Sequence, residues 1–235
     1  MNSQATRHPH QNVFLERLEQ VRALIDDTLC CPTDTAALVA HLQQNNHRRH
    51  SAIDLAPHSA ALQLAGFVVR YIEHAPEFIE AIYTITAEAD LEAQVTPLLS
   101  IAVDYFLHPP ELLQANNALL LVFYQAYLAH RLLEEINDRF IALCGSPLAP
   151  MDTTRANVVA HELIGEPYAT ELGQAVLFSA DLLLYQYPFK GPAFERFFAQ
   201  HRQHGWSVEL SRWPCLAADR AIFLNFKSAA EHHER

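Results

Sequence analysis

Apolar residues recur every three to four positions through most of the chain, a period that marks helices with one face turned toward a core. Residues 1–12 carry no such period and read as a disordered tail, so the ordered part is expected to be a single helical domain over residues 13–230. Phe14, Leu18, Val21, Ile25 and Leu29 then fall at helical spacing, and Pro32 stops that first helix. Thr33, Asp34 and Thr35 are N-cap candidates for a short helix through Leu42, after which QQNNHRRHS (43–51) reads as a polar loop. From Ser59 the pattern resumes through Leu62, Ala65, Val69 and Ile72. It predicts a helix interrupted at Pro76, a second from Glu77 to about Glu88, and a third from Pro97 to His108, where Pro109 and Pro110 interrupt again.

The stretch from Asn116 to Cys144 is the longest helical pattern and the most apolar. Between Leu119 and Leu133 almost every side of the helical wheel is apolar, so other helices must cover it. Leu133, Ile136, Phe140 and Leu143 continue one stripe, and Gly145 with Pro147 ends the helix. At about 1.5 Å per residue such a helix spans roughly 40 Å, close to the width of a whole domain, which makes it the expected axis of the fold. The apolar run is too short for a membrane span, with Gln125 inside it and His130 closing it. Further helices are predicted over Arg155–Ile164, Tyr168–Tyr187 and AFERFFAQHRQ (193–203). Beyond Trp206 the pattern leaves strand and helix both open at AIFLNF, and EHHER reads as a frayed end. The fold class is therefore all-α, a bundle of about eight to ten helices around a long buried central helix.

One internal similarity stands out. VRYIEHAPEFIEA (69–81) aligns without gaps on VDYFLHPPELLQA (103–115), an offset of 34 residues. Two copies are too few for a solenoid, so the match predicts two similar helix-Pro-helix junctions.

Charge and cysteine content narrow the classes. With 16 Lys and Arg against 27 Asp and Glu, the net charge of −11 repels a phosphate backbone and argues against nucleic acid as a partner. The polar start MNSQATRHPHQN has no apolar core of a signal peptide, so the expected location is cytoplasmic. Cys30, Cys31, Cys144 and Cys215 match neither a disulfide framework nor a zinc ligand set. Six glycines leave little room for nucleotide-binding loops, and none of the common catalytic motifs occurs.

Two groups of residues carry candidate chemistry. The first is the repeated His-x-Pro-Glu, which pairs His74 with Glu77 and His108 with Glu111 as nitrogen and oxygen donors. Helix punctuation accounts for the same letters: His favours a helix C-terminus, Pro a first turn, and Glu a helix N-terminus. The second group lies on the central helix, where Phe123, Tyr127, His130 and Glu134 share one side and Glu134 stands one turn beyond His130. His161, Glu162 and Glu166 lie on its expected neighbour, and Asp104 precedes His108 by one turn. His130, Glu134, His161 and Glu166 are the first candidates for a metal ligand set, iron or another divalent ion; the bland alternative is a His130–Glu134 hydrogen bond that fixes packing. No Glu-x-x-His is present, which counts against a ferritin-like di-iron centre.

The run AVDYFLHPPELL (102–113), leading through a short linker into an apolar helix, resembles the YkvA-like small helical domain over residues 102–138. The chain lacks that family's Asp after the proline and its Asp pair before the next helix. The resemblance implies a helical domain and assigns no site residue.

The expectation is thus a cytoplasmic interaction or regulatory protein that presents an apolar groove to a protein partner or to a second copy of itself, with no cofactor, and the sequence leaves open whether the chain is an enzyme. Its rivals are a metal-dependent helical oxidase or hydroxylase of the non-haem iron type, and a binder of small apolar ligands.

Overall fold

The computed structural model describes residues 9–44, 60–151, 153–186 and 189–216. Among the described residues nine α-helices follow one another: α1 Pro9–Leu29, α2 Pro32–Gln44, α3 Ala60–Glu88, α4 Glu92–Leu107, α5 Ala118–Cys144, α6 Thr154–Ile164, α7 Tyr168–Gln186, α8 Pro192–His204 and α9 Ser207–Arg212. A short 3₁₀ turn, Pro214–Leu216, comes after them, and no strand occurs among the described residues. The protein is an all-α multi-helix bundle. Helix α1 begins inside the stretch expected to be a tail, and residues 1–8 lie outside the described residues. So do most of the 43–51 loop, AIFLNF and EHHER, whereas Ser207–Arg212 is helical.

Helix α5 packs against α1, α2, α3, α4, α6 and α7. Every residue from Val122 to His130 is buried, as an all-round apolar segment requires in water. Its ends follow from local chemistry. The Asn117 side chain accepts from the Leu120 amide at 2.8 Å, and Gly145 closes the other end at φ 69°, a left-handed conformation that glycine adopts without strain. Replacing Asn117 by Ala removes that cap and is expected to lower stability by about 1 kcal/mol, measured by urea unfolding. The buried stripe runs through Leu133, Ile136 and Phe140 but stops there, because Leu143 is 72% exposed. Beside Phe140, the rings of Phe194 and Phe198 on α8 lie 5.7 and 5.5 Å away.

The two proline junctions differ. Helix α3 runs unbroken through Pro76, so no helix ends there. Pro76 offers no N–H to the Ile72 carbonyl, but Ala75, Pro76, Phe78 and Ile79 are all buried, and their packing offsets the missing bond. At the second site His108 precedes Pro109, which itself precedes Pro110, and each proline disfavours a helical residue before it. His108 takes φ −136° and ψ 65°, and no helix re-forms until Ala118. The predicted third helix also starts earlier than Pro97, at Glu92, with Pro97 held inside it.

Ion pairs tie helices together. Arg17 on α1 reaches Asp104 on α4 at 2.5 Å, Arg22 reaches Glu80 on α3 at 2.7 Å, and Arg139 on α5 meets Asp181 on α7 at 2.6 Å. Among the described residues no helix is long and apolar enough to cross a membrane.

Candidate functional site

A cleft of about 340 Å³ opens between α5, α6 and α7. Its geometry starts at Asn137 on α5, whose carbonyl oxygen accepts from the Leu148 and Ala149 amides at 2.8 and 3.2 Å and so fixes the linker leading into α6. Gly165, at φ 86°, ends α6 and turns the chain into α7.

The floor of the cleft is a buried hydrogen-bond chain. Glu134 accepts from Thr154 Oγ1 at 2.8 Å and from Asn157 Nδ2 at 2.7 Å, and it pairs with Arg131 one turn before it. Asn157 in turn accepts the Tyr71 hydroxyl at 2.6 Å, so one side-chain path runs from α3 through α6 to α5. A buried carboxylate is tolerable only when its lone pairs are met, and three donors meet these. Burial pushes the Tyr71 hydroxyl well above its ordinary pKa, with Tyr127 and Glu134 adding to the effect, so Tyr71 acts as a hydrogen-bond donor.

On the wall of the cleft His161 lies between two partners. The Glu166 carboxylate only accepts, so Nε2 of His161 carries the proton and donates to it at 2.8 Å. On the other side of the ring Nδ1 and the Tyr127 hydroxyl lie 3.0 Å apart, and in the tautomer with its proton on Nε2 alone the hydroxyl donates. Glu166 also accepts from Thr170 at 2.8 Å, and the His161 and Thr170 bonds hold its carboxyl below the ordinary range. Burial raises the Tyr127 pKa, and Arg131 opposes that shift.

His130 does not join this group. Its Nε2–H donates to the Tyr71 carbonyl at 2.9 Å, and the ring packs among Tyr71, His74 and Phe78, all on α3. Burial, and then the neighbouring His74, lower its pKa to about 3 against the pull of the carbonyl bond. His74 donates from Nε2 to the Cys215 carbonyl at 3.1 Å, and burial lowers its pKa to about 4. In each ring Nδ1 is buried without a partner.

Of the four leading metal candidates, the structure brings His161 to Glu166, places Glu134 on the cleft floor among α6 donors, and turns His130 toward α3. The expected His130–Glu134 bond is replaced by these other partners. His74 makes no bond to Glu77, whose carboxyl is raised chiefly by burial. His108 bonds Asp104 at 2.9 Å, and Glu111 is exposed in the turn that follows. Among the described residues no three His, Cys, Asp or Glu side chains gather as a cation would need. The Cys215 thiol is pushed up to about 11 by burial and by Glu77, a poor setting for a nucleophile.

Sequence reasoning missed Tyr71, Arg131, Thr154 and Asn157. A signal was present on α6, where Thr154, Asn157 and His161 recur at three- and four-residue spacing and so share one face. Compared with protein-family models, with curated proteins and with solved structures, the chain finds no match.

Proposed function

We propose that the protein is a helical interaction module that pairs with a second copy of itself through α7. The supporting observation is that α7 is apolar on two faces. Leu172, Val176, Ala180 and Leu183 are buried against the bundle, whereas Phe178, Leu182 and Tyr185, at i, i+4 and i+7, are 72%, 48% and 87% exposed. Single exposed apolar residues are ordinary, but three on one stripe with Leu177 beside them form a contiguous patch that water covers at a cost.

A second copy is the partner that the charge pattern favours. The one charged residue within the stripe, Asp181, is already paired with Arg139, so a two-fold contact faces apolar surface with apolar surface and meets no lone charge. Sedimentation velocity at about 50 µM protein is expected to give a dimer that dissociates on dilution, as a contact of modest area does. The double substitution Phe178→Glu with Leu182→Glu is expected to give a monomer with unchanged helical circular dichroism. A wild-type chain that stays monomeric at that concentration overturns the reading.

A further inference from the structure

We infer that the cleft between α5, α6 and α7 is a binding site for a small organic cation with an apolar body, such as an arylalkylammonium. Its volume, about 340 Å³, lies at the lower end of the range for small-ligand sites. Two independent features of the lining select the chemistry.

The first is Gly173, inside α7. Glycine in a helix interior weakens the helix relative to alanine, so its presence calls for a reason. Packing does not supply one, because a Cβ built at Gly173 meets nothing within 4 Å. The position borders the cleft, and the missing side chain leaves open the space that a ligand body would fill. Val158 and Leu177, both partly open to solvent, supply apolar wall on either side.

The second is charge. Arg131 is the one arginine or lysine among the lining residues, and Glu134 neutralises it. Glu134 has all its donors within the protein. Glu162, also in the lining, has neither a hydrogen bond nor an ion pair among the described residues, and the Glu166 carboxylate lies just beyond, bonded to His161 and to the Thr170 hydroxyl. The cleft is therefore net negative. An ammonium group gains a charge-assisted bond at Glu162, whereas a carboxylate ligand meets repulsion and finds its natural partner, Arg131, already engaged. Leu177 borders both this cleft and the proposed pairing face, but the binding assignment does not depend on that pairing.

Titration calorimetry or ¹⁵N chemical-shift mapping with 2-phenylethylamine tests the assignment, with phenylacetate as the charge-reversed probe of the same shape. Expected are saturable binding of the amine, with shifts confined to residues of α5, α6 and α7, and binding of phenylacetate weaker by at least about tenfold. Glu162→Gln is expected to weaken the amine about fivefold, as loss of a partly exposed ion pair does. Gly173→Leu fills the cleft and is expected to abolish binding while the thermal midpoint holds or rises. Equal binding of the two probes overturns the proposal. So does no saturation by the amine at about 10 mM, which corresponds to an interaction too weak for a formed site. If Gly173→Leu does not fold, the probe pair and Glu162→Gln still decide the matter.

Discussion

Acidification from pH 7 to pH 4 is expected to lower the unfolding free energy by on the order of 4 kcal/mol, with His130 and His74 the main contributors. Both rings are held neutral in the folded protein, with pKa values of about 3 and about 4, whereas in the unfolded chain they return to about 6.5. Above pH 6.5 the two states bind the same number of protons at these sites, and stability does not change with pH on their account. Below it the unfolded state binds more protons, so stability falls as pH falls, and it continues to fall until the folded rings themselves protonate near pH 4 and pH 3. His130 is 1% exposed and contributes the larger share; His74, nearer solvent, contributes less.

Carboxylates act with their own signs. Glu166, with its lowered pKa, adds to the acid loss below the ordinary carboxylate range, and Glu77, with its raised pKa, works against it. The histidine contribution sets in below pH 6.5 and has the sign opposite to that of Glu77. Urea unfolding across this range compares the wild-type chain with His130→Phe, which keeps an aromatic ring against Tyr71 and Phe78 but cannot titrate. The variant is expected to be the less stable at pH 7, having lost the bond to the Tyr71 carbonyl, and the gap is expected to close as the pH drops. Parallel curves would remove His130 as the cause.

The same two histidines mark where sequence reading succeeds and where it stops. Local signals carried one helix end: Gly145 as a stop is a property of a few adjacent residues, and the structure gives it the left-handed conformation its chemistry favours, whereas the Asn117 cap at the other end was not singled out in the sequence. Pro76 and Pro97 look like the same kind of signal and mislead. Whether a helix survives a proline depends on what packs around it, and the burial of Ala75, Phe78 and Ile79 is set by distant helices. The 34-residue similarity fails for the same reason, since an alanine before the proline permits the helix that a second proline prevents.

At the candidate site, the pairing of His161 with Glu166 falls within five positions and could be suspected. The partners of Glu134 and His130 could not. Helical spacing puts His130 and Glu134 one turn apart, but each finds a better partner on another helix: a main-chain carbonyl of α3 for the imidazole, and hydroxyl and amide donors of α6 for the carboxylate. Sequence separation hides such choices, because the energy that decides them is the cost of leaving a buried polar group unmet.

That cost sets the second large effect, the substitution Asn157→Leu. Asn157 is 3% exposed and connects two buried groups, accepting from the Tyr71 hydroxyl and donating to Glu134. Leucine has nearly the same size, so the change opens little space, and its effect is electrostatic. The Tyr71 hydroxyl loses its acceptor, and Glu134 keeps its charge with one donor fewer. Together these are expected to cost about 3 kcal/mol in urea unfolding. Tyr71→Phe alone removes both the hydroxyl and its bond and is expected to cost about 1 kcal/mol. Once leucine occupies position 157, deleting that hydroxyl removes an unmet polar atom, so the second change should be neutral or restore stability. The cycle is expected to show a coupling of at least about 1 kcal/mol. Simple additivity would mean that Tyr71 and Asn157 do not act as a unit, and the floor of the cleft, still tied to α6 through the Asn157 and Thr154 bonds to Glu134, would not depend on α3.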